Sequence, residues 1–168
     1  MRKLTTLTLA FVGLTIGSHA FGQSNSATTS ANATARIVTP IALAKTADMN
    51  FGDVVAGGSA GTVVLTPAGV RSATGGTTLG NAGATAAAAF TVSGQGSATY
   101  AITLPASTTV TSGGNTMTVN AFTSNPSGTG ALSAGGSQAL TVGATLNVGA
   151  SQATGTYTGT FSVTVTYN

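Results

Sequence analysis

Apolar and polar residues alternate along most of this chain, and the alternation is most regular over residues 155–167. Tyr157, Phe161, Val163, Val165 and Tyr167 share one parity, with Gly155 and Gly159 between them. Thr156, Thr158, Thr160, Ser162, Thr164 and Thr166 take the other. A β-strand sends successive side chains to opposite faces, so this pattern predicts an aromatic and branched face against a core and a hydroxyl face in water. Strands in globular proteins average about five or six residues, which makes this an unusually long one. One residue short of Asn168, it reads as the closing strand of its domain.

The same reading predicts the other elements. Ala31, Ala33, Ala35 and Ile37 alternate with Asn32, Thr34, Arg36 and Val38, a weakly apolar strand that Pro40 interrupts and residues 41–44 resume. Residues 49–53 read as a short strand into a turn, Gly57-Gly58-Ser59 as a loop, and residues 62–66 as a strand stopped by Pro67. Residues 72–84, with glycine at 75, 76, 80 and 83, read as a long loop or two very short edge strands. The second half is more regular, with strands over 88–93, 98–104, 116–123 and 140–148 separated by Pro105 and by Gly-rich or Ser-rich turns. Short strands with turns at regular spacing predict an all-β, immunoglobulin-like β-sandwich of about 7–9 antiparallel strands.

Residues 1–22 read as a secretory signal peptide. Arg2 and Lys3 form a positive start, residues 4–17 an apolar stretch, and Ser18-His19-Ala20 a small-x-small cleavage site, with Gly22 as the alternative. The stretch is shorter than the roughly 20 residues a spanning helix needs. Residues 23–36 then form a polar extension and residues 37–168 the domain. The protein is expected outside the cytoplasm: in the periplasm in transit, then at the cell surface or secreted, with no membrane insertion of the mature chain. A transmembrane β-barrel fits less well, because aromatics are 5% of residues and most expected strands fall short of about ten residues.

Charge narrows the function further. Past the signal peptide three cations (Arg36, Lys45 and Arg71) face two anions (Asp48 and Asp53), a net +1. Three scattered cations are too few to neutralise a phosphate backbone, so no nucleic-acid partner is expected. With 42% hydrophobic and 4% charged residues the chain lacks the high-charge signature of disorder. It has no cysteine, so its core holds the fold without a disulfide.

The chemical motifs are weak. Gly57-Gly58-Ser59-Ala60-Gly61 matches the nucleophile elbow G-x-S-x-G, but that chemistry needs a base, and the single histidine is His19 in the signal peptide. Gly94-Gln95-Gly96 lacks the third glycine and helix of a dinucleotide loop and reads as a hairpin turn. Asp48 and Asp53 are too few carboxylates for a calcium site and read as a solvated and a turn residue. Arg36, Lys45 and Arg71 read as solvated charges. Tyr157 and Tyr167 share the core parity, which predicts buried rings with hydroxyls near a rim. No enzyme activity, cofactor or metal is expected.

The ending Gly-Thr-Tyr-Thr-Gly-Thr-Phe-Ser-Val-Thr-Val-Thr-Tyr at 155–167 resembles the last strand of spore-coat-U-like and other chaperone–usher pilin subunits. Ala33-Thr-Ala-Arg-Ile-Val and Met49-Asn-Phe-Gly-Asp resemble their first strand and turn, and the chain is more similar still to a secreted bacterial family of unknown function. The resemblance implies a sandwich lacking one strand, whose groove is held by a periplasmic chaperone and filled, at an outer-membrane usher, by the N-terminal extension of the next subunit. Carried onto this chain, the groove strand holds Tyr157, Phe161, Val163, Val165 and Tyr167, and the donor face holds Ala31, Ala33, Ala35 and Ile37. The donor segment departs from the pattern in offering alanines where larger anchors are usual, and the cysteine pair of many such subunits is missing. The expected function is an exported structural subunit of a pilus-like surface fibre or coat, joined to copies of itself or related subunits by β-strand complementation. The alternative is a secreted monomeric module that binds carbohydrate or another surface polymer in cell adhesion.

Overall fold

The computed structural model describes residues 25–168; the expected signal peptide lies outside them. The chain divides into Met1–Arg36 and Ile37–Asn168. In the first unit, residues 25–36 are exposed and form no regular element. The strand expected from Ala31 onward is therefore not formed. Period two makes a segment able to be a strand, but a strand also needs an edge to pair with.

The second unit is all-β. Its strands are β1 (Ala42–Ala47), β2 (Val54–Leu65), β3 (Arg71–Leu79), β4 (Ala88–Ser93), β5 (Thr99–Thr103), β6 (Ser107–Ser112), β7 (Asn115–Asn125), β8 (Thr129–Ala131), β9 (Ser137–Val148) and β10 (Thr164–Tyr167). Every pairing is antiparallel. One sheet is built on β9, whose first half pairs with β4 and whose second half pairs with β2 along the same edge. β7 takes the opposite edge. β1, β3 and β6 extend this sheet beyond β4, β2 and β7, giving seven strands, and β10-β5-β8 form the second sheet.

The pattern of β9 shows why it sits at the centre. Leu140, Val142, Ala144, Leu146 and Val148 are all buried, while Thr141, Thr145 and Asn147 lie on the other parity. Leu140 and Val142 join Val92, Leu132 and Tyr100, so this cluster bridges the two sheets of the β-sandwich. Ala144, Leu146 and Val148 join Val63 and Val119 in a second cluster. Each such Val or Leu contributes about 1.5–3 kcal/mol by leaving water.

The outer face of the large sheet is neutral and largely satisfies itself. Register aligns Thr109, Thr118, Asn147, Thr62 and Thr74 in one row across five strands. The Thr62 and Thr74 hydroxyls lie 2.8 Å apart, and Asn147 Nδ2 donates to Thr118 O and Asn120 Oδ1. This is how a sheet with almost no charge presents a polar face to water.

Ten strands replace the expected seven to nine. Residues 71–79 form a full strand, because glycines at 75 and 76 let β3 lie against β2 where a Cβ would strike Ser59 or Ala60. Gly57-Gly58-Ser59 belongs to β2, at a register shift between Ala56 and Gly61. Thus the G-x-S-x-G match is a close crossing of two backbones. Residues 155–163 also differ from the expected strand: they remain outside regular pairing except at Thr158.

Tyr100 is fully buried, its hydroxyl donating to Gln138 Oε1 at 2.8 Å, and Ala131 N–H shares that acceptor at 2.8 Å. Burial raises its pKa above the tyrosine value of 10.0. The folded state thus keeps the proton to higher pH than the unfolded chain does. Its contribution is complete below about pH 10 and is lost as pH rises beyond it. Urea midpoints should therefore hold level to about pH 9 and fall above about pH 10. Tyr100→Phe should cost about 1 kcal/mol at neutral pH and remove the alkaline decline. An equal decline in Y100F would assign it to another group.

Candidate functional site

A groove of about 910 Å³ opens on one flank of the sandwich. One lip is residues 45–56, which leave β1 and enter β2; the other is residues 152–161, which approach β10. Its floor includes Phe90, Val110, Met117, Val119, Leu146 and Val148. Most of these also belong to the second core cluster or pack against it, so the groove reaches the core rather than a polar surface.

The first lip is shaped by a turn. Asn50 Oδ1 accepts from Gly52 N–H at 2.8 Å, and Gly52 takes a φ of 66° that suits glycine. Asn50 and Ala86 exchange backbone hydrogen bonds of 2.8 and 3.0 Å. Arg71 closes the arrangement: Nη1 donates to Phe51 O at 2.7 Å and to Asp53 O at 2.9 Å, and Nη2 to Gly80 O at 2.8 Å. Arg71 is therefore not the solvated charge that its sequence context predicts. It is a three-carbonyl staple behind the lip. Lys45 and Asp48 form an exposed ion pair on the same lip. Asp53 serves the turn through its backbone, with Gly80 N–H donating to its carbonyl at 2.9 Å.

The second lip keeps the predicted alternation without the predicted ladder. Tyr157, Phe161, Val163, Val165 and Tyr167 are half-buried, and Thr156, Thr158, Thr160, Ser162, Thr164 and Thr166 are exposed. An extended backbone preserves period two whether or not it is paired. Among the described residues, the backbone pairing of 155–163 with β6 is the single bridge between Thr158 and Thr111, at 2.9 and 3.0 Å. Thr108 Oγ1 adds a bond of 2.6 Å to Thr160 O. Phe161 lies against Phe122, with ring centroids 5.0 Å apart. The segment crosses from the edge of β6 to the edge of β5, and a crossing chain cannot hold a ladder with both.

The tyrosine hydroxyls lie at rims, as the parity predicts. Tyr157 OH donates to Ala153 O at 2.8 Å and accepts from Gln152 Nε2 at 2.8 Å. Tyr167 OH accepts from Gln95 N–H at 2.6 Å and donates to Thr39 O at 2.8 Å. The structure thus places Tyr157 and Phe161 at the groove, while Val163, Val165 and Tyr167 pack on the inter-sheet core. Ile37 is 97% exposed. Ala31, Ala33 and Ala35 are exposed in the first unit. Sequence reading assigned the first lip no role: it expected a short strand into a turn over residues 49–53, and the structure forms the turn but, in place of a strand, a single bridge from Asn50 to Ala86.

The model of a family described as a domain of unknown function (DUF4402) matches residues 41–167. No curated protein and no solved structure matches the chain.

Proposed function

The chain belongs to the DUF4402 family, a domain of unknown function, and from that premise we propose that it is an exported structural subunit of a surface fibre or coat that assembles by β-strand complementation. The observation that carries this reading is the groove between residues 45–56 and 152–161. Both flanks offer backbone that can accept a strand. β1 pairs only with β4 among the described residues, and residues 155–163 make one bridge. Unpaired N–H and C=O groups beside an apolar floor recruit an extended segment, whose main chain supplies affinity and whose alternate side chains supply register. The exposed segment 25–37, with Ala31, Ala33, Ala35 and Ile37 on one parity, has the length and alternation for that role in another copy.

Size-exclusion chromatography with light scattering tests this on two forms, one beginning at Gln23 and one at Ile37. The longer form should give polymers or swapped dimers and the shorter form monomers. Two stable monomers would overturn strand complementation and favour a secreted module that binds a surface polymer.

A further inference from the structure

The point at which the N-terminal segment joins the sandwich is held by a side chain from the last strand. Tyr167 OH donates to Thr39 O at 2.8 Å and accepts from Gln95 N–H at 2.6 Å, while Gln95 Oε1 lies 3.5 Å from Thr39 N. The turn is fitted to that hydroxyl, since a Cβ on Gly94 would collide with it. Asn168 adds a second fastening at the same end, from its Nδ2 to Thr99 Oγ1 at 2.9 Å. β1 leads from this clasp to the groove, so Thr39 and the first lip lie at opposite ends of β1.

Resting on the strand-complementation reading, we infer that the Tyr167 hydroxyl decides which groove the donor face enters, by holding Thr39 and so denying that face its own groove. The register follows from an antiparallel return alongside β1. A three-residue turn over residues 40–42 would set Ile37 opposite Lys45 and lead Ala35, Ala33 and Ala31 past the register shift before Ala47, toward the first lip. Three-residue hairpin loops are common, and Pro40 in first place is suited to a turn. Met49 and Phe51 of that lip already pack inward, beside the path the alanines would take. That turn carries Thr39 opposite Leu43 and cannot form while Thr39 is bound to Tyr167.

With the clasp closed, the chain can reverse only upstream of Val38. A turn over residues 35–37 would take Ala35 and Ile37 into the turn, set Ala33 and Ala31 opposite Thr39 and Ile41, short of the groove, and bring Ala27 opposite Lys45. The Ala31–Ile37 face then reaches a groove only in another molecule. The hydroxyl, rather than the ring, carries this choice, because the ring packs on the inter-sheet core and the oxygen is what binds Thr39.

The test is Tyr167→Phe, which removes the oxygen and keeps the ring, in the form beginning at Gln23. A second change supplies a reporter: Ile37→Cys with Lys45→Cys in a chain that otherwise has no cysteine. Directly opposed residues in an antiparallel pair have Cα atoms about 4.5–5.5 Å apart, inside the range a disulfide spans. With Tyr167 present, oxidation should link different molecules and light scattering should show polymers. With Y167F, the link should form within one molecule and polymers should fall at least about tenfold, the effect of roughly 1.4 kcal/mol, which a lost hydrogen bond supplies. Intermolecular links and equal polymers in both would overturn the role of Tyr167 and leave strand complementation standing. Intramolecular links with Tyr167 present would also overturn it. Monomers with no link in either form would overturn strand complementation itself. A misfolded Y167F is recognised separately by its melting curve, and Gly94→Ala, which displaces the same hydroxyl, then takes its place.

Discussion

Gly143→Ala is expected to remove about 3 kcal/mol or more of stability, enough to leave much of a marginally stable domain unfolded. Gly143 is buried in β9 between the stretch that pairs with β4 and the stretch that pairs with β2. A Cβ there would lie 2.6 Å from Thr66 C and 2.7 Å from Pro67 N, and it would strike Leu65 O. These are backbone atoms, and they cannot retreat. Thr66 N–H donates to Val70 O at 2.8 Å, its carbonyl accepts from Gly69 N–H at 2.9 Å, and its hydroxyl accepts from Val70 N–H at 3.1 Å. Shifting β9 instead would disturb its ladders to β2, β4 and β7 together. Gly58→Ala is the control, since a Cβ there meets nothing within 4 Å, and its effect should stay within about 0.5 kcal/mol. Urea denaturation of both variants checks this. Equal midpoints would mean that the close packing of β2 on β9 is not a constraint on the fold.

The contrast between these glycines bears on what the sequence could reveal. β4 and β9 are legible because apolar residues recur at alternate positions, Phe90 and Val92 in one and Leu140, Val142, Ala144, Leu146 and Val148 in the other, and turn residues bracket them. β3 is hidden because Arg71-Ser-Ala-Thr-Gly-Gly-Thr-Thr-Leu carries few large apolar residues; its place comes from close backbone approach to β2, which composition does not report. β6 follows Pro105 so closely, and holds so many hydroxyls, that its single inward Val110 was not a pattern. Over residues 155–163 the reverse happened. The alternation was real, and it assigned the faces of Tyr157 and Phe161, but it reported an extended chain rather than a paired one. Half of the groove was therefore readable from Gly155 onward. The other half depends on where an arginine's donors fall twenty residues away in sequence, and no local pattern encodes that.

That arginine gives the second large effect. Arg71→Ala should cost about 3 kcal/mol, because hydrogen bonds from a charged donor contribute roughly 1.5–3 kcal/mol each and three carbonyls lose theirs while water recovers part. The loss should concentrate on the first lip. Phe51 O and Asp53 O flank Gly52, whose φ of 66° is otherwise braced by the Asx-type bond in which its own N–H donates to Asn50 Oδ1. Nothing replaces the guanidinium: a Cβ on Gly52 would come within 2.6 Å of Nη1, so the turn and the arginine are fitted to each other. Arg71→Lys should recover little, since one compact ammonium cannot serve Phe51, Asp53 and Gly80 from a fixed fork. Hydrogen exchange should then show faster opening of residues 50–54 and 80–82 than of β9 in both variants, and polymer yield should fall with it. If R71K keeps wild-type exchange and stability, charge alone holds the lip and the fork geometry is irrelevant. If R71A loosens the lip while polymers form at the wild-type yield, the strand enters elsewhere, and the lip at residues 45–56 is not part of the assembly site.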